Sequence, residues 1–501
     1  METEAYHWSY QLISTSLFLV DLAVRIGLSI RVIMRKRSHS VSLAWLLIIL
    51  FLPLLGGIVY LLFGENRIGD RRAARAEESL EHYHQWLSTL NNNTSAKLDD
   101  IPPECFPILS QADSLVNIPT LGGNLLEIIE NFDDIMAAIL HDINESCSTC
   151  HLQFYIWREG GDADRVAEAL IKASQRGVTC RILLDSIGSK DFLASPTATR
   201  MKEAGIKMVE SLPAGLIKAL FVRIDIRNHR KLVLIDGKIA YTGSQNMVDP
   251  ALFKQNGNLG RWIDVMVRLQ GPAVECLAGT FISDWFLDND RDRPTSRSLD
   301  EDIEIIRKIA DVTPGQAAGR TAVQVVPSGP GFTPEAIHNL LLTTIYTARK
   351  EIILTTPYFV PDESLLIALY SAGQRGVDVQ IILPQNSDSH LAHWAARARF
   401  ENLINSGVDI FLYNGGLLHS KTITVDGNFS LFGSVNLDMR SFWLNFETTL
   451  FIYNKDFTQK LRLLQKNYEK QSVTVNSSEL AGKSWLVKFK ENTSLLLGPL
   501  L

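Results

Sequence analysis

Residues 228–246, NHRKLVLIDGKIAYTGSQN, combine a histidine and a lysine two positions apart with an apolar run that ends in Asp-Gly. Alternate side chains of a strand share one face, so His229 and Lys231 are predicted to project to the same side. Asp236-Gly237 between two apolar runs is typical of a two-residue β-hairpin, in which Asp236 needs no role beyond the turn. Because an imidazole beside an ammonium is unfavourable in a core, we expect the pair to face a polar cleft that holds an anion.

A second copy of this pattern occupies residues 419–436, HSKTITVDGNFSLFGSVN. The paired positions of the two copies are His229 and His419, Lys231 and Lys421, Asp236 and Asp426, Ser244 and Ser434, and Asn246 and Asn436. A single hairpin would favour the interpretation that Asp-Gly is only a turn. Two copies that agree at all these positions favour a shared functional site instead.

The segments before each copy repeat one order of elements. In the first half, apolar periodicity predicts a helix over 123–146, a strand over 152–157, a helix over 163–176 and a strand over 178–185. In the second half it predicts a helix over 334–349, a strand over 351–359, a helix over 362–375 and a strand over 377–384. This order predicts an α/β sandwich in each half, over 116–320 and 321–501, with a pseudo-twofold axis and a shared site.

The N-terminal 63 residues are predicted to form a transmembrane helical hairpin. Residues 41–63, VSLAWLLIILFLPLLGGIVYLLF, contain no charged side chain and are long enough to cross a membrane as a helix, with a kink near Pro53. Residues 9–34 form the other predicted span, in which Asp21 and Arg25 lie one helical turn apart and can neutralise each other. An interfacial amphipathic helix is the alternative for this first span. Polar residues 64–115 are predicted to be a linker.

The composition limits the partners and cofactors. A chain of 501 residues with a formal net charge of -6 has no overall attraction for nucleic acid, so an anionic ligand must be held by local basic groups. Five scattered cysteines fit a reducing compartment, and Cys147 and Cys150 are predicted to be structural thiols rather than a zinc or redox pair. His390 and His393 lie one turn apart without a third ligand nearby, so a helix face is favoured over a metal site.

Two further segments have less specific patterns. Residues 216–231 mix apolar side chains with Lys218, Arg223, Arg227 and Arg230, and are predicted either to contact anionic lipid headgroups or to form a strand with solvated charges. Trp262 and Asp264, in the stretch GRWIDVMV, are predicted to be structural.

Two histidines and two lysines that meet at a pseudo-twofold axis suit transfer at a phosphodiester. One neutral imidazole can attack phosphorus and form a covalent intermediate, while the other protonates the leaving alkoxide and then deprotonates the incoming alcohol. The lysines and the Ser and Asn groups would neutralise and bind the phosphoryl oxygens, so no metal is required. The sequence does not distinguish the two histidines; we favour His229 as the nucleophile and His419 as the acid and base.

The doubled HxKxxxxD signature, each followed by GSxN, resembles that of the phospholipase D superfamily. Within it the chain resembles the bacterial cardiolipin synthases, on its N-terminal apolar hairpin and on the strings YLLFGENRIG, RNHRKLVLIDGKIAYTGSQNMVDP, GRWIDVMVRLQGPAV, TTPYFVP and GGLLHSKTITVD. The resemblance implies two tandem phospholipase D-like repeats that transfer a phosphatidyl group from one phosphatidylglycerol to another, giving cardiolipin and glycerol without a cofactor. It also implies the bacterial inner membrane, with the catalytic part cytoplasmic.

The same resemblance implies roles for individual residues. The implied catalytic set is His229, Lys231, Asp236, His419, Lys421 and Asp426, with Ser244, Asn246, Ser434 and Asn436 lining the phosphate site. The two aspartates would orient the imidazoles. The expected partners are phosphatidylglycerol, anionic lipids and the bilayer, and not nucleic acid; the oligomeric state is left open.

Two rival functions remain from the sequence. The first is a phospholipase D or a nucleic-acid phosphodiesterase that has the same active site. The apolar hairpin and the lack of a broadly basic composition argue against the nuclease. The second is a non-catalytic scaffold for anionic lipids, against which the presence of all four His and Lys positions argues.

Overall fold

The computed structural model describes residues 2–35, 39–65, 67–94, 101–213, 223, 225–252, 260–289, 299–312, 316–330, 335–496 and 498. The chain divides into two compact units, and each is described by itself. The first comprises Met1–Asp70 and Ala214–Ile226, and the second comprises Arg71–Pro213 and Arg227–Leu501. Apart from residues 214–226, both predicted α/β halves lie in the second unit.

The described residues of the first unit form the helices α1 (Glu2–Met34), α2 (His39–Phe51) and α3 (Pro53–Phe63). The predicted span over 41–63 is therefore two helices, because Pro53 has no backbone N–H and begins a new helix at its first position. The predicted pair of charges in α1 is present, with Arg25 Nε 2.7 Å from Asp21 Oδ2. In addition, Arg31 donates to Glu65 through Nε at 2.6 Å.

Among the residues described, no helix is both long and apolar enough to cross a membrane. The predicted transmembrane hairpin is therefore not confirmed.

The second unit begins with two helices that precede the first half, and continues with the elements of that half. The helices are α4 (Asp70–Thr94), α5 (Phe106–Val116), α6 (Phe132–Glu145), α7 (Asp162–Gln175), α8 (Lys190–Leu193), α9 (Pro196–Glu203), α10 (Ala273–Asp288) and α11 (Leu299–Ala310), with a 3₁₀ turn over Pro103–Cys105. The strands are β1 (Leu121–Ile129), β2 (Thr149–Phe154), β3 (Thr179–Asp185), β4 (Lys207–Ser211), β5 (Arg227–Asn228), β6 (Leu232–Ile235), β7 (Ile239–Gly243), β8 (Trp262–Ile263) and β9 (Met266–Gln270).

The second half follows with a matching set. Its strands are β10 (Thr321–Ser328), β11 (Glu351–Thr355), β12 (Phe359–Val360), β13 (Asp378–Pro384), β14 (Val408–Tyr413), β15 (Leu417–Leu418), β16 (Thr422–Val425), β17 (Phe429–Gly433), β18 (Leu437–Asp438), β19 (Asn445–Tyr453) and β20 (Ser472–Thr474). Its helices are α12 (Ala336–Thr347), α13 (Glu363–Gln374), α14 (His390–Asn405), α15 (Met439–Trp443), α16 (Lys455–Lys470), α17 (Ser477–Ala481) and α18 (Trp485–Leu496).

One continuous sheet joins the two halves. Its order is β20-β14-β13-β11-β16-β17-β19-β10-β1-β9-β7-β6-β2-β3-β4. Counted outward from the antiparallel β1–β10 pair, equivalent strands of the two halves follow in the same order. The order is β1, β9, β7, β6, β2, β3, β4 in the first half and β10, β19, β17, β16, β11, β13, β14 in the second. Helices α10 and α16 contribute to one core on this sheet, while α6 and α7 pack in a separate core of the first half. The order confirms the predicted α/β architecture of two repeats.

Two predictions about local structure are wrong. The segment 123–146, predicted as one helix, is strand β1 followed by α6; β1 exposes Leu125 and lacks strict alternation, so a helical period fits it equally well. The segment 64–115, predicted as a linker, contains α4 and α5. Tyr83 and Trp86 of α4 are buried in the core of α10, where Gly279 allows their rings to approach. Their apolar stripe lies within an otherwise polar sequence.

The two hairpins form as predicted, β6 with β7 and β16 with β17. Asp236 and Gly237 have φ angles of 51° and 58°, the left-handed conformation that a type I′ turn requires at both central residues. The short strands that lead into the two histidines cross to the other half. Strand β5 pairs with β19, and β15 pairs with β8. Each histidine is therefore positioned by backbone from the opposite repeat.

Candidate active site

The crossed strand pairs bring each histidine to a carboxylate of the other half. The backbone N–H of His229 donates to Phe446 O at 2.9 Å, and that of His419 donates to Ile263 O at the same distance. The residue that follows each of these carbonyls is acidic, Glu447 and Asp264 respectively. Sheet pairing alone therefore places a carboxylate beside each imidazole.

Each imidazole forms a hydrogen bond with its carboxylate through Nδ1. His229 Nδ1 lies 2.9 Å from Glu447 Oε1, and His419 Nδ1 lies 2.6 Å from Asp264 Oδ1. Both carboxylates are buried. Because a carboxylate only accepts, Nδ1 of each ring carries the hydrogen and Nε2 has a free lone pair. This tautomer presents a nucleophile or a base at Nε2.

Both histidines line one cavity of about 500 Å³, together with Asn246 and Asn436. The structure thus brings the two predicted histidines to a shared site. The lysines lie behind them in the interior. Lys231 Nζ donates to His229 O at 2.6 Å, and Lys421 Nζ donates to His419 O. Each ammonium group is therefore held by the backbone carbonyl of the histidine in its own motif.

Burial controls the protonation of this site. Burial lowers the pKa of His229 to about 4, although the adjacent Glu447 carboxylate acts in the opposite direction. Burial also lowers the pKa of His419. For Glu447, burial acts to raise the pKa, but the charge of His229 and its hydrogen bond bring the pKa below its ordinary value. At neutral pH, both imidazoles are therefore uncharged beside ionised carboxylates.

Both lysines have pKa values close to neutral pH. Burial lowers the pKa of Lys231 to about 7 and that of Lys421 to about 8. The buried carboxylates Glu447 and Asp264 act against this shift but do not cancel it. An anion in the cavity favours the charged form of each lysine. The site is therefore built to hold positive charge when an anionic group is bound.

The two predicted serines support the carboxylates rather than the cavity. Val265 N donates to Ser244 Oγ at 3.0 Å, and Thr448 N donates to Ser434 Oγ at 3.0 Å. These backbone groups directly follow Asp264 and Glu447, and both serines are fully buried. Of the four predicted phosphate-binding residues, Asn246 and Asn436 line the cavity, and the serines fix the strands that carry the histidine partners.

The prediction that Asp236 and Asp426 orient the imidazoles is wrong. Asp236 accepts from the backbone N–H groups of Cys147, Ser148 and Thr149 at 2.8 to 2.9 Å. Asp426 accepts from those of Arg349, Lys350 and Glu351 at 2.7 to 3.0 Å. Both carboxylates are at the hairpin turns, at the opposite end of the strand from the histidine. They fix the start of β2 and of β11, so their role in the motif is structural.

Sequence analysis did not identify Asp264 and Glu447 as the hydrogen-bond partners of the two histidines. Asp264, predicted to be structural, instead contacts His419, whereas the prediction that Trp262 is structural stays a prediction. The Trp262 ring centroid lies 4.4 Å from that of His419, and the Tyr155 centroid lies 5.2 Å from that of His229. A usable signal exists in the sequence: in both halves an acidic residue stands at the start of the apolar strand that follows GSxN. The pairing partner across the halves is fixed only by the fold.

The remaining candidate residues lie apart from this chemistry or within the protein interior. Residues 216–222 and 224 of the predicted headgroup segment lie outside the described residues. Arg230 of that segment is fully buried and forms an ion pair with Asp284, so it contacts no headgroup. All five cysteines are free thiols. Within the described parts of the chain, no group of three or more His, Cys, Asp or Glu side chains could hold a metal ion.

Comparison with known proteins gives a consistent likeness. The family model described as "Cardiolipin synthase, PLD-like domain" matches residues 139–285 and 341–466, one segment in each half, and the model described as "Phospholipase_D-nuclease N-terminal" matches 23–65. The chain is 43% identical over 459 residues to cardiolipin synthase A of Yersinia pseudotuberculosis serotype O:1b (strain IP 31758), covering 92% of this chain and 91% of that protein. Cardiolipin synthase A of Yersinia pestis matches to the same extent.

A solved structure resembles the fold. Phosphatidylserine synthase of Haemophilus influenzae Rd KW20 matches with a TM-score of 0.56 at 15% identity, over 79% of this chain and 100% of that one. At this level of identity the likeness concerns the fold alone.

Proposed function

The chain belongs to the cardiolipin synthase family of phospholipase D-like proteins, and we propose that it transfers a phosphatidyl group from one phosphatidylglycerol to a second through a phosphatidyl-histidine intermediate. As a member of that family it is a phosphatidyltransferase. The observation that supports the two-step route is the pair of carboxylate-bound imidazoles in one cavity. One can act as nucleophile and the other as acid and base.

In the first step, Nε2 of His229 attacks the phosphorus of the donor. A P–N bond forms, the bond from phosphorus to the glycerol headgroup oxygen breaks, and His419 gives its proton to that oxygen. Glu447 accepts the hydrogen bond from Nδ1–H of His229 and stabilises the positive charge that develops on the ring. The anionic donor supplies the condition for protonating His419, because an opposite charge nearby raises the pKa of an imidazole.

In the second step, His419 removes the proton from a glycerol hydroxyl of the acceptor. The resulting oxygen attacks phosphorus, the P–N bond breaks, and His229 leaves as neutral imidazole. The products of the two steps are cardiolipin and glycerol, and each histidine returns to its starting state. The low pKa of His229, about 4, suits a group that must attack and leave in its neutral form.

The lysines stabilise charge on the phosphoryl group in both steps. An ammonium has three N–H donors, and one of those of Lys231 is bonded to the His229 carbonyl. The charge behind each imidazole lies in a buried site, where electrostatic stabilisation is stronger than in water. Asn246 and Asn436, on the cavity wall, contribute amide groups to the same phosphate.

The proposal includes attachment to the bacterial inner membrane, with the catalytic unit in the cytoplasm. Helices α1–α3 support it, because large apolar side chains on them are exposed, including Leu17, Phe51 and Leu54. Apolar surface of this kind favours contact with lipid. Extraction of membranes with alkaline carbonate should leave the protein in the pellet. Release into the supernatant would contradict an embedded anchor.

The decisive experiment uses purified full-length protein and phosphatidylglycerol labelled in its headgroup glycerol. Wild type should release labelled glycerol and form cardiolipin in equal amounts, and His229→Ala and His419→Ala should do neither. Phosphatidic acid as the main product would instead make the protein a hydrolase. His393→Ala, which alters a histidine outside the catalytic pair, is the control and should remain active.

A further inference from the structure

The two halves differ beside the catalytic histidines. With the halves aligned on their HxK and GSxN motifs, Arg227 corresponds to Leu417 and Arg440 corresponds to Pro250. Both arginines line the cavity that contains the two histidines. At these motif-aligned positions the cavity therefore has two cationic groups that the repeat does not duplicate, and a third arginine, Arg158, also lines it.

Both arginines lie on the His229 side of the cavity. The Tyr155 ring packs against the His229 ring, and the pKa of Tyr155 is raised, mainly by burial, while the charges of Arg227 and Arg440 both oppose that rise. Arg227 also lies two residues before His229, on the strand β5 that leads into it. In addition, Ser441, the neighbour of Arg440, donates to Glu447 Oε1 at 3.0 Å, and Glu447 is the carboxylate that holds His229.

The surroundings hold Arg227 in place. Its Nη1 donates hydrogen bonds to Asp185 Oδ1 at 3.2 Å and to Ser186 Oγ at 3.3 Å. Arg440 is half-buried on the short helix α15. One guanidinium is thus fixed in the cavity wall and the other is more accessible.

The cavity also contains two acidic side chains. Asp388 accepts from the Tyr358 hydroxyl at 2.6 Å, and Asp438 accepts from Ser441 N at 2.7 Å and caps α15. Burial raises the pKa of Asp438. Both carboxylates are engaged with the protein, so a second anion is best placed at the arginines.

We propose that Arg227 and Arg440 form a binding site for a second lipid phosphate, the one that the acceptor phospholipid carries and that is not transferred. This inference rests on the proposed function, because only a phospholipid acceptor brings two phosphates into one cavity. The lysines and histidines serve the reacting phosphate, and a second anion in a water-poor site requires its own cations. A planar guanidinium suits it, since it can bind phosphate through two parallel hydrogen bonds.

The test compares two acceptors that differ in this phosphate. With phosphatidylglycerol as donor throughout, formation of cardiolipin measures transfer to a phospholipid, and incorporation of labelled glycerol into phosphatidylglycerol measures transfer to an uncharged alcohol. In Arg440→Gln the ratio of cardiolipin formation to glycerol exchange should fall about tenfold, which corresponds to roughly 1.4 kcal/mol. Arg440→Lys should restore part of the ratio, because it keeps the charge and loses the planar fork.

Arg158→Gln is the matched control. Arg158 lines the same cavity but is exposed and paired with Asp191 at 3.0 Å. Its ratio should stay within about twofold of wild type, as expected for an exposed ion pair. An equal fall of both reactions in Arg440→Gln, or the same selective fall in Arg158→Gln, would overturn the subsite. Wild type that performs neither reaction would instead contradict the proposed function.

A separate observation concerns α18 at the C-terminal end of the described chain. Trp485, Leu486, Phe489 and Leu496 expose 72%, 61%, 57% and 82% of their surface. The rings of Trp485 and Phe489 stack at 5.4 Å. Lys488 and Lys490 are exposed on the same helix.

The opposite side of α18 packs near the cavity. Glu491 is buried beside Arg397 of α14, and Ala392 of the same helix lines the cavity. Gly498, just beyond α18, lies against Val360, which also lines the cavity. The exposed apolar face is thus carried by a helix that adjoins the catalytic site.

We propose that α18 lies in the headgroup layer of an anionic bilayer and holds the cavity at the lipid surface. Tryptophan and phenylalanine beside lysines suit such a layer, where apolar rings enter and ammonium groups meet lipid phosphates. This second inference also rests on the proposed function, which requires lipid substrates to enter the cavity.

Quenching by brominated lipids tests this placement in the full-length protein. The contribution of Trp485 is the difference in fluorescence between wild type and Trp485→Phe. It should be quenched in phosphatidylglycerol vesicles that contain brominated lipid. Leu463→Trp, at an apolar position of α16 that is 61% exposed, is the control and should be quenched less.

Trp485 that escapes quenching would overturn the proposal. Fluorescence that instead changes with protein concentration without lipid would assign the face to a second copy. In the double variant Trp485→Ser/Phe489→Ser, the rate of cardiolipin formation on vesicles should fall at least about tenfold. The rate on monomeric short-chain phosphatidylglycerol should be unchanged. No turnover of the short-chain lipid by wild type would contradict the proposed function rather than the helix placement.

Discussion

At the scale of single residues, the two histidines occupy similar sites but differ in their neighbours. Burial lowers the pKa of His229 to about 4, and Arg227 and Arg440 line its side of the cavity. Trp262 instead covers His419. A nucleophile must be neutral, and cations nearby favour that state, so the asymmetry supports His229 as the nucleophile.

This assignment predicts how each variant handles a donor that needs no acid. Phosphatidyl-p-nitrophenol has a leaving group that departs without protonation, so His419→Gln should release one equivalent of p-nitrophenol per protein in a rapid burst. His229→Gln should show no burst, because it cannot form the P–N bond. Stopped-flow absorbance would measure both. A burst from His229→Gln and none from His419→Gln would reverse the two roles.

The lysines predict a pH dependence for anion binding. Lys231 and Lys421 have pKa values lowered to about 7 and about 8, so they are charged below this range and neutral above it. Affinity for dimethyl phosphate, whose charge is constant over this interval, should therefore be high at pH 6 and fall above pH 7. The fall should approach about tenfold per pH unit for each lysine that must be charged. Isothermal calorimetry from pH 6 to 9 would measure it, and constant affinity would contradict the role of the lysines.

At the scale of elements, the aspartate of each hairpin is a connection between strands. Asp236 joins the β6–β7 turn to the start of β2, and Asp426 joins the β16–β17 turn to the start of β11. Each carboxylate accepts from three successive backbone N–H groups. The two ends of each motif strand therefore have different roles: the aspartate end makes a structural contact, and the histidine end faces the cavity.

Removal of this contact should affect stability more than chemistry. Asp236→Ala leaves three N–H groups without their acceptor, and should lower the free energy of unfolding by about 2–4 kcal/mol. Below its melting temperature the variant should keep activity within about tenfold of wild type. The free energy of unfolding of Asp236→Asn should lie between those of wild type and Asp236→Ala, because the amide retains one acceptor oxygen. A loss of activity like that of His229→Ala at unchanged melting temperature would restore a chemical role.

How far sequence predicts this molecule follows from the range of each interaction. The hairpins are predictable because His229, Lys231 and the Asp-Gly turn lie within nine residues and strand geometry fixes their faces. The partners Glu447 and Asp264 are not, because they meet the histidines only through strand pairing between the halves. Strand β1 and helix α4 fail for a related reason: neighbours in the fold, such as β10 and α10, decide their structure.

At the scale of the whole molecule, the repeat is completed by exchange between its halves. The first half supplies His229 and Asp264, and the second supplies His419 and Glu447. Each half alone therefore has a histidine without its carboxylate and a carboxylate without its histidine. The continuous sheet, joined at β1 and β10, keeps these crossed pairs in register.

An active site built within one chain predicts the behaviour of mixed variants. A mixture of full-length His229→Ala and His419→Ala should form no more cardiolipin than either alone, because each cavity lacks one of the two histidines. The proteins should be co-expressed as well as mixed after purification, so that any exchange during folding is included. Each variant mixed with wild type is the control and should show dilution only. Restored activity would require halves from two chains to pair, since only that arrangement reunites His229 and His419 in one cavity, and it would contradict a site formed within one chain.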